Sequence, residues 1–504
     1  TERTLSGITW KLDAENSDYS EFQGGLAPED YFDRFDEDGE PEETEEKTWE
    51  GYDKANEEYN GAIYTYVPVI AESEEIPEDT DLPEIHVQVG DAGIALYSGR
   101  IEGQGTKENP WQIKDEKDWE TITTSRPYCN SGNLLGCIRL EGKIDFSQIE
   151  EAIRKKSLNL NDKIFDGNGY PIENLTKSLF SVANGTVKNL ILPDVKIDGK
   201  ENQGAIAETV GDKATIENCY ISGSITATGS NNSGVGGLIG AAQNAQGAPL
   251  TIENCVVNAD ITGKGSSLAG GLIGSVSQND VVTIEKCIAM GSVSTVEDKG
   301  LGGLIGGPSR KVAIKNSAAL QEEISTKGSR YFVDRIFGYA GDYNVHVVGE
   351  QNFAYRDMKV KYGKNCANTF INNDLKLHYG ESVSKTKLLT TDFWKNTIGW
   401  GSDTENWKFD NNQIPTLKMT RRNDDGNEEV NIFSGADIPE YLEATETKTG
   451  SVKSGGTGIE GAEITFKKGS SEKKATTDSD GNFTIDLADG TYTVTIKKTG
   501  YLTW

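Results

Sequence analysis

The stretch "TIENCVVNADIT", residues 251–262, recurs almost letter for letter as "TIENCYISGSIT" at 215–226 and "TIEKCIAMGSVS" at 283–294. Looser copies are "TVKNLILPDVKI" at 186–197 and "AIKNSAALQEEIS" at 313–325. Aligned, they place Leu190, Cys219, Cys255, Cys287 and Ser317 in one column, 29 to 36 residues apart. Apolar residues alternate within each copy, so each reads as a short strand with one inward face. One such unit cannot bury that face alone, but like units stacked on one another can. The expected fold is a right-handed parallel β-helix, one repeat per coil, rising about 4.8 Å per layer.

A second phrase keeps the same register: "GGLIG" at 236–240, 270–274 and 302–306. Leu and Ile supply inward packing, and the glycines permit the positive φ or close backbone approach that a corner demands. A phosphate-binding loop would need a helix directly afterwards, and "AAQNAQGAP" and "SVSQNDVV" offer none. The cysteine column raises the question of a metal. Thiolate sites need ligands converging on a point, usually from C-x₂-C pairs, whereas these stand one to a coil beside Leu190 and Ser317. They read as buried thiols.

At 504 residues the chain exceeds one hydrophobic core and should hold several domains. Its 57 glycines and three methionines suit a β-rich, turn-rich protein. A net charge of −30 argues against nucleic acid as a partner. Apolar runs are too short and glycine-broken to span a bilayer, so no membrane insertion is expected. No signal peptide is evident, and the abrupt ends suggest a piece of a longer protein. Cys129 and Cys137 close the short loop "CNSGNLLGC" and are the disulfide candidate; Cys366 has no evident partner.

The repeats, with "GQGTKENPWQI" (103–113), "DEKDWETI", "FDGNGYPIENLTKSLFSVANGTVKNL" (165–190) and "FWKNTIGWGSDTENWKFDNNQIPTLKM" (393–419), resemble the GLUG-motif family of bacterial surface proteins. That resemblance covers roughly residues 100–420. It implies an extracellular adhesin-like or stalk module with no single established activity. GLUG repeats also occur beside the catalytic region of some bacterial immunoglobulin peptidases. A coil needs its open ends covered, and "DFSQIEEAIRKKS" (145–157), with Phe146, Ile149 and Ile153 on one helical face, is a candidate cover.

The flanks read as separate β modules, making the whole an all-β multidomain protein with the β-helix between two small sandwiches. The expected domains are an Ig-like sandwich at 1–91, the β-helix with its caps at 97–420, a polar linker at 421–447 and a prealbumin-like sandwich at 448–504, incomplete at its end. "TLSGITW", "YTYVPVI" and "DLPEIHVQVG" look like the Ig-like repeats of Gram-positive surface proteins. Between them "DEDGEPEETEEK" (36–47) reads as a solvated acidic loop; its spacing fails the calcium pattern D-x-D-x-D-G. The C-terminal "KKATTDSDGNFTIDLADGTYTVTIKKTGYLTW" resembles carboxypeptidase-regulatory-like and Cna B-type modules. Cna B modules can join a lysine to an asparagine. Lys453 stands at a plausible first-strand position, but no late-strand asparagine follows it.

Catalytic patterns are sparse. His86, His346 and His378 lie far apart and none sits in H-E-x-x-H, so this stretch encodes no zinc peptidase centre. No G-x-S-x-G elbow is present. A β-helix polysaccharide lyase or glycosidase would need paired carboxylates, or calcium with a base, along one groove, and the coils display small polar residues instead. Trp394, Trp400 and Trp407 either offer an aromatic platform to sugar rings or bury themselves as a cap. No catalytic, cofactor or metal residue is assigned, and calcium is the one ion left open. The expectation is a non-enzymatic bacterial adhesin or stalk, secreted or on the cell surface. A glycan or a host or bacterial surface would be its ligand. The alternatives are a carbohydrate-active enzyme and a self-associating filament or surface-layer subunit.

Overall fold

The computed structural model describes backbone at residues 2–5, 8–18, 63–68, 85–90 and 93–97. It also describes residues 101–500 except 125–127, 230–232, 244–247, 266–267, 278–280, 297–299, 308–310, 329–332, 339–345, 364–379, 424–425, 469–470 and 489–490. The acidic stretch 36–47, Cys366 and His378 lie outside these residues. The chain divides into two compact units, Thr1–Leu190 and Ile191–Trp504. The fold is nearly all β, built around a parallel β-solenoid with sandwich-like sheets near the C-terminus. No helix among the described residues is long and apolar enough to cross a membrane.

In the first unit, strands Glu2–Leu5, Ile8–Asp18, Ile63–Pro68, Ile85–Gly90 and Gly93–Tyr97 pair antiparallel in chain order. Parallel coiling begins at Trp111–Ile113. The in-register column Trp111, Ile138, Phe165 and Val187 steps through four strands, each of these side chains buried at 2% exposure or less. Helix Glu116–Thr124 lays Trp119 against Phe146 and Phe165, ring centroids 5.3 and 6.1 Å away. Its start is tied down twice: Asp115 accepts the Asp118 N–H, and Asp118 accepts the Lys114 N–H.

The second cover differs from expectation. Only Glu151–Arg154 is helical, and Ile144–Asp145 is a strand paired with Ile172–Glu173. Phe146 and Ile149 are buried, but Ile153 is not among the core residues. The Phe146 N–H bonds the Glu173 carbonyl, so pairing with the next coil claims residues that an isolated amphipathic pattern would give to a helix.

The second unit winds four parallel ladders. Ala214–Glu217, Pro249–Glu253, Val281–Glu285, Lys311–Lys315 and His346–Glu350 stack in one. Ile191–Gly199, Tyr220–Ala227, Val256–Gly263 and Ile288–Thr295 stack in another. The glycine phrase makes the other two: Gly234–Gly236 pairs with Leu268–Gly270, and Ile239–Ala242 with Ile273–Val276. Between them the chain turns with Leu238, Leu272 and Leu304 pointing inward, each 0% exposed.

None of the GGLIG glycines is at positive φ. They are needed for close approach. A Cβ on Gly274 would stand 2.5 Å from the Gly234 carbonyl carbon and 2.6 Å from the Gly240 oxygen. One on Gly306 would stand 2.5 Å from both the N and O of Ala269. Two backbones therefore meet across the turn with no room for side chains.

Gly307 faces only the flexible Leu268 side chain, at 3.0 Å and beyond. Gly274→Ala should therefore destabilise the protein by about 1–3 kcal/mol through overpacking against backbone, and Gly307→Ala by clearly less. Urea midpoints of the two variants check this, and equal midpoints would remove the close-approach explanation.

Candidate functional site

Each coil of the second unit turns a corner just before the sulfur column. Asn218, Asn254, Lys286, Asn316 and Gln351 hold that corner, all with φ between 50° and 54°. Asparagine tolerates this left-handed conformation better than other side-chain-bearing residues. From the first four of these corners the N–H reaches the next coil: Asn218 to the Glu253 carbonyl, Asn254 to Glu285, Lys286 to Lys315 and Asn316 to Glu350.

Residues 385–423 and 426–442 form a strap over two flanks of this solenoid. Descending the asparagine corner, Trp394, Trp400 and Trp407 stack with centroids 4.9 and 4.4 Å apart. Their indole N–H groups donate to the Leu388 carbonyl (2.6 Å), the Asn316 carbonyl (2.7 Å) and Asn254 Oδ1 (2.9 Å). Phe393 meets Phe353 edge-on at 4.9 Å. Between the indole anchors, Lys286 Nζ lies 2.7 Å from Asp403 Oδ2 and 3.6 Å from Glu253 Oε1. Those carboxylates and Glu285 hold the Lys286 ammonium above its usual pKa despite partial burial. Burial, followed by Glu285 and Asp403, raises the Glu253 carboxyl while Lys286 opposes the shift.

After the hairpin of Thr416–Asn423 and Gly426–Phe433 the strap returns along the other flank. Phe433 stacks on Tyr220 at 5.0 Å. Tyr441 OH donates to the Leu320 carbonyl (2.7 Å) and accepts the Gly291 N–H (3.2 Å). Val256, Ile288 and Met290 have outward parity on that flank, Val256 standing in register between Tyr220 and Ile288. Yet they are 0%, 0% and 1% exposed, which places them under the returning chain.

Trp394, Trp400 and Trp407 are exposed by 1% or less, so they offer no open face to a sugar. The Trp400 and Trp407 N–H partners lie on distant coils, which makes these indoles the anchors of the strap. Leu190, Cys219, Cys255, Cys287 and Ser317 are all 0% exposed. Cys255 Sγ lies 3.7 Å from the Ile216 carbonyl one coil below, and Cys287 Sγ 3.7 Å from that of Ile252. The Cys287 N–H bonds Ser317 Oγ at 3.2 Å. Burial, with Cys219 and Cys287 alongside, pushes the Cys255 thiol well above the ordinary range.

The expected disulfide between Cys129 and Cys137 is not formed; both are buried free thiols. Cys129 belongs to the hairpin with Asn133–Leu134, whereas Cys137 Sγ accepts the Ile164 N–H of the following coil at 3.3 Å. Lys453 is exposed and pairs through its backbone with Gly458. Asp478 Oδ1 accepts the N–H groups of Asp480 and Asn482, a turn-forming arrangement.

The sequence reading missed Lys286, Asp403, Phe433 and Tyr441. Lys286 was visible as the one departure from asparagine in the aligned "TIENC" copies; the other three carry no local signal.

Two family models match the chain. One, described as the M26 IgA1-specific metallo-endopeptidase N-terminal region, covers residues 159–223; the other, a carboxypeptidase regulatory-like domain, covers 449–504. An immunoglobulin A1 protease of Streptococcus sanguinis is 32% identical over 123 residues, 23% of this chain and 6% of that protein. Among solved structures, a Bacteroides ovatus protein described as an immunoglobulin A1 protease superposes with a TM-score of 0.51. That superposition has 23% identity and covers 62% of this chain and 94% of that one; the likeness is one of fold.

These findings overturn two expectations, that the protein is a non-enzymatic adhesin or stalk and that it is not an enzyme. The matched segments are similar instead to the N-terminal region of M26 metallo-endopeptidases and to an immunoglobulin A1 protease. At the C-terminus the matching model is the carboxypeptidase regulatory-like one.

A peptidase metal does not fit the described residues: no three His, Cys, Asp or Glu among them converge as ligands. His86 and His346 stand on strands in different units.

Trp407→Phe should cost about 1–3 kcal/mol, because it leaves the buried Asn254 oxygen without its donor; thermal or urea unfolding reads this. The raised Cys255 pKa means the native state keeps a proton that the unfolded chain releases above about pH 8.5. Stability should therefore be full below that value and fall as pH rises beyond it, by up to about 1.4 kcal/mol per unit for a single thiol. Urea titrations between about pH 7 and 10 test the sign, with Cys255→Ala as the reference.

Proposed function

We propose that this chain is a region of an IgA1-protease-like metalloendopeptidase, secreted or displayed on a cell surface, and that its solenoid holds the immunoglobulin substrate. The observation that carries this reading is the position of the M26 N-terminal match. Residues 159–223 run through strands Leu158–Asp166, Phe180–Lys188 and Ile191–Gly199, so the matched segment is solenoid itself. The Streptococcus sanguinis relative supports it at the level of sequence. The GGLIG phrases are consistent with a GLUG-type reading of the same coils, a repeat that accompanies some immunoglobulin peptidases.

The division of labour follows from the donor set. A zinc peptidase centre needs converging histidine and carboxylate ligands, and no H-E-x-x-H occurs in the 504 residues. What the solenoid supplies is a rigid framework, because its corner, glycine turn and strap fix each coil at several points. Rigid scaffolds suit the positioning of a large protein substrate.

Residues 1–504 should capture IgA1 in preference to IgA2 in a surface-binding assay. The complete gene product should cut the IgA1 heavy chain, and a metal chelator should stop the cut. Binding that is absent or equal for both immunoglobulins, together with an intact heavy chain, would overturn the reading.

A further inference from the structure

The strap ends in a short 3-10 helix, Glu440–Leu442, whose two sides face different bodies. On one side Tyr441 is bonded to the solenoid at Leu320 and Gly291, with its ring 5.9 Å from that of Tyr355. Leu442 beside it is buried at 1% exposure. On the other side Glu443 receives Lys468 Nζ at both oxygens, 3.2 and 2.9 Å away. Glu440 Oε1 lies 3.9 Å from Lys473 Nζ, which also donates to the Asp486 carbonyl at 3.1 Å. Lys468 and Lys473 belong to the segment that matches the carboxypeptidase regulatory-like domain.

We propose that Glu440–Glu443 is a fixed ionic joint that sets the angle at which the carboxypeptidase regulatory-like module leaves the solenoid. Three features make the joint stiff. Its backbone is pinned, since Pro439 restricts φ and the N–H groups of Leu442 and Glu443 bond back to Pro439 and Glu440. Slack is minimal, because only Ala444 separates Glu443 from strand Thr445–Ser451. The pairs are also partly shielded. Side-chain exposures are 32% and 22% for Lys468 and Glu443, and 33% and 21% for Lys473 and Glu440. Pairs in that range are less screened than fully exposed ones, whose contribution is small. Lys385 stands at the same junction: burial, then the Lys473 ammonium, lower its pKa, while Asp357, Asp486 and Glu440 oppose that shift. The module is thus held by charge at one short segment, and the solenoid holds that segment through hydrogen bonds and burial. This inference does not depend on the peptidase reading.

The joint is tested by the distance between two spin labels, one on the solenoid at Ser224→Cys and one on the module at Ser479→Cys. Both sites are exposed, and Cys129, Cys137, Cys219, Cys255 and Cys287 are buried; Cys366→Ser completes the background. The expected result is one narrow distance distribution. It should broaden in the double reversal Glu440→Lys with Glu443→Lys and in molar salt, with the solenoid's thermal unfolding unchanged. Adding Lys468→Glu and Lys473→Glu to the double reversal should restore the narrow peak. A distribution that is broad in the unmodified pairing, or that stays narrow after reversal, overturns the proposal.

Discussion

A parallel coil can stack on its neighbour only if every layer turns at the same place, and here that requirement is met by a left-handed residue repeated at one corner. Asn218, Asn254, Lys286, Asn316 and Gln351 share φ within a few degrees of 52° and, from Asn218 to Asn316, pass their N–H groups to neighbouring backbone. The rest follows from this repetition. With the corner fixed, the next residue must point inward, so Cys219, Cys255, Cys287 and Ser317 line the interior. The strands on either side then fall into register. The glycine turn closes the far side of each layer, where backbone meets backbone and nothing larger than hydrogen fits.

Solenoids are ordinarily stabilised between nearest neighbours only. The strap changes that. Trp407, Lys286 with Asp403, and Trp400 attach one continuous segment to three successive corners. Tyr220 with Phe433, and Tyr441 with Gly291 and Leu320, fasten its return. Opening one layer therefore strains attachments made to others, and the second unit should unfold more cooperatively than bare repeats would. Lys286 shows the cost and gain in one residue. Lysine is less at ease than asparagine at positive φ, but its long side chain reaches two carboxylates that asparagine could not.

The coiling was legible because period-two alternation and a fixed repeat length are local signals. "TIENC" shows both. Tertiary cover has no such signal. Val256, Ile288 and Met290 break the alternation with extra apolar residues, and with Lys286 at the asparagine corner they are the traces the strap leaves on the coils. Nothing near Phe433 or Tyr441 names their partners more than a hundred residues away. Phe146 and Ile149 fit a helical face equally well until pairing with Ile172–Glu173 decides between strand and helix. The spacing of Cys129 and Cys137 could not reveal that the second thiol turns toward Ile164. Function was the least legible: the coils carry their chemistry in backbone and packing, and the similarity to IgA1 proteases is confined to limited segments.

The sulfur column also constrains the order of events during folding. In an unfinished chain Cys219, Cys255 and Cys287 are accessible and separated by flexible loops of a length that closes readily. An oxidant would cross-link them or pair them with Cys129 or Cys137, and any such bridge would hold neighbouring layers at the wrong spacing. In an oxidising milieu, coil closure must outrun thiol oxidation. Burial in the finished coil takes Cys219, Cys255 and Cys287 out of an oxidant's reach, so winding is itself what protects them.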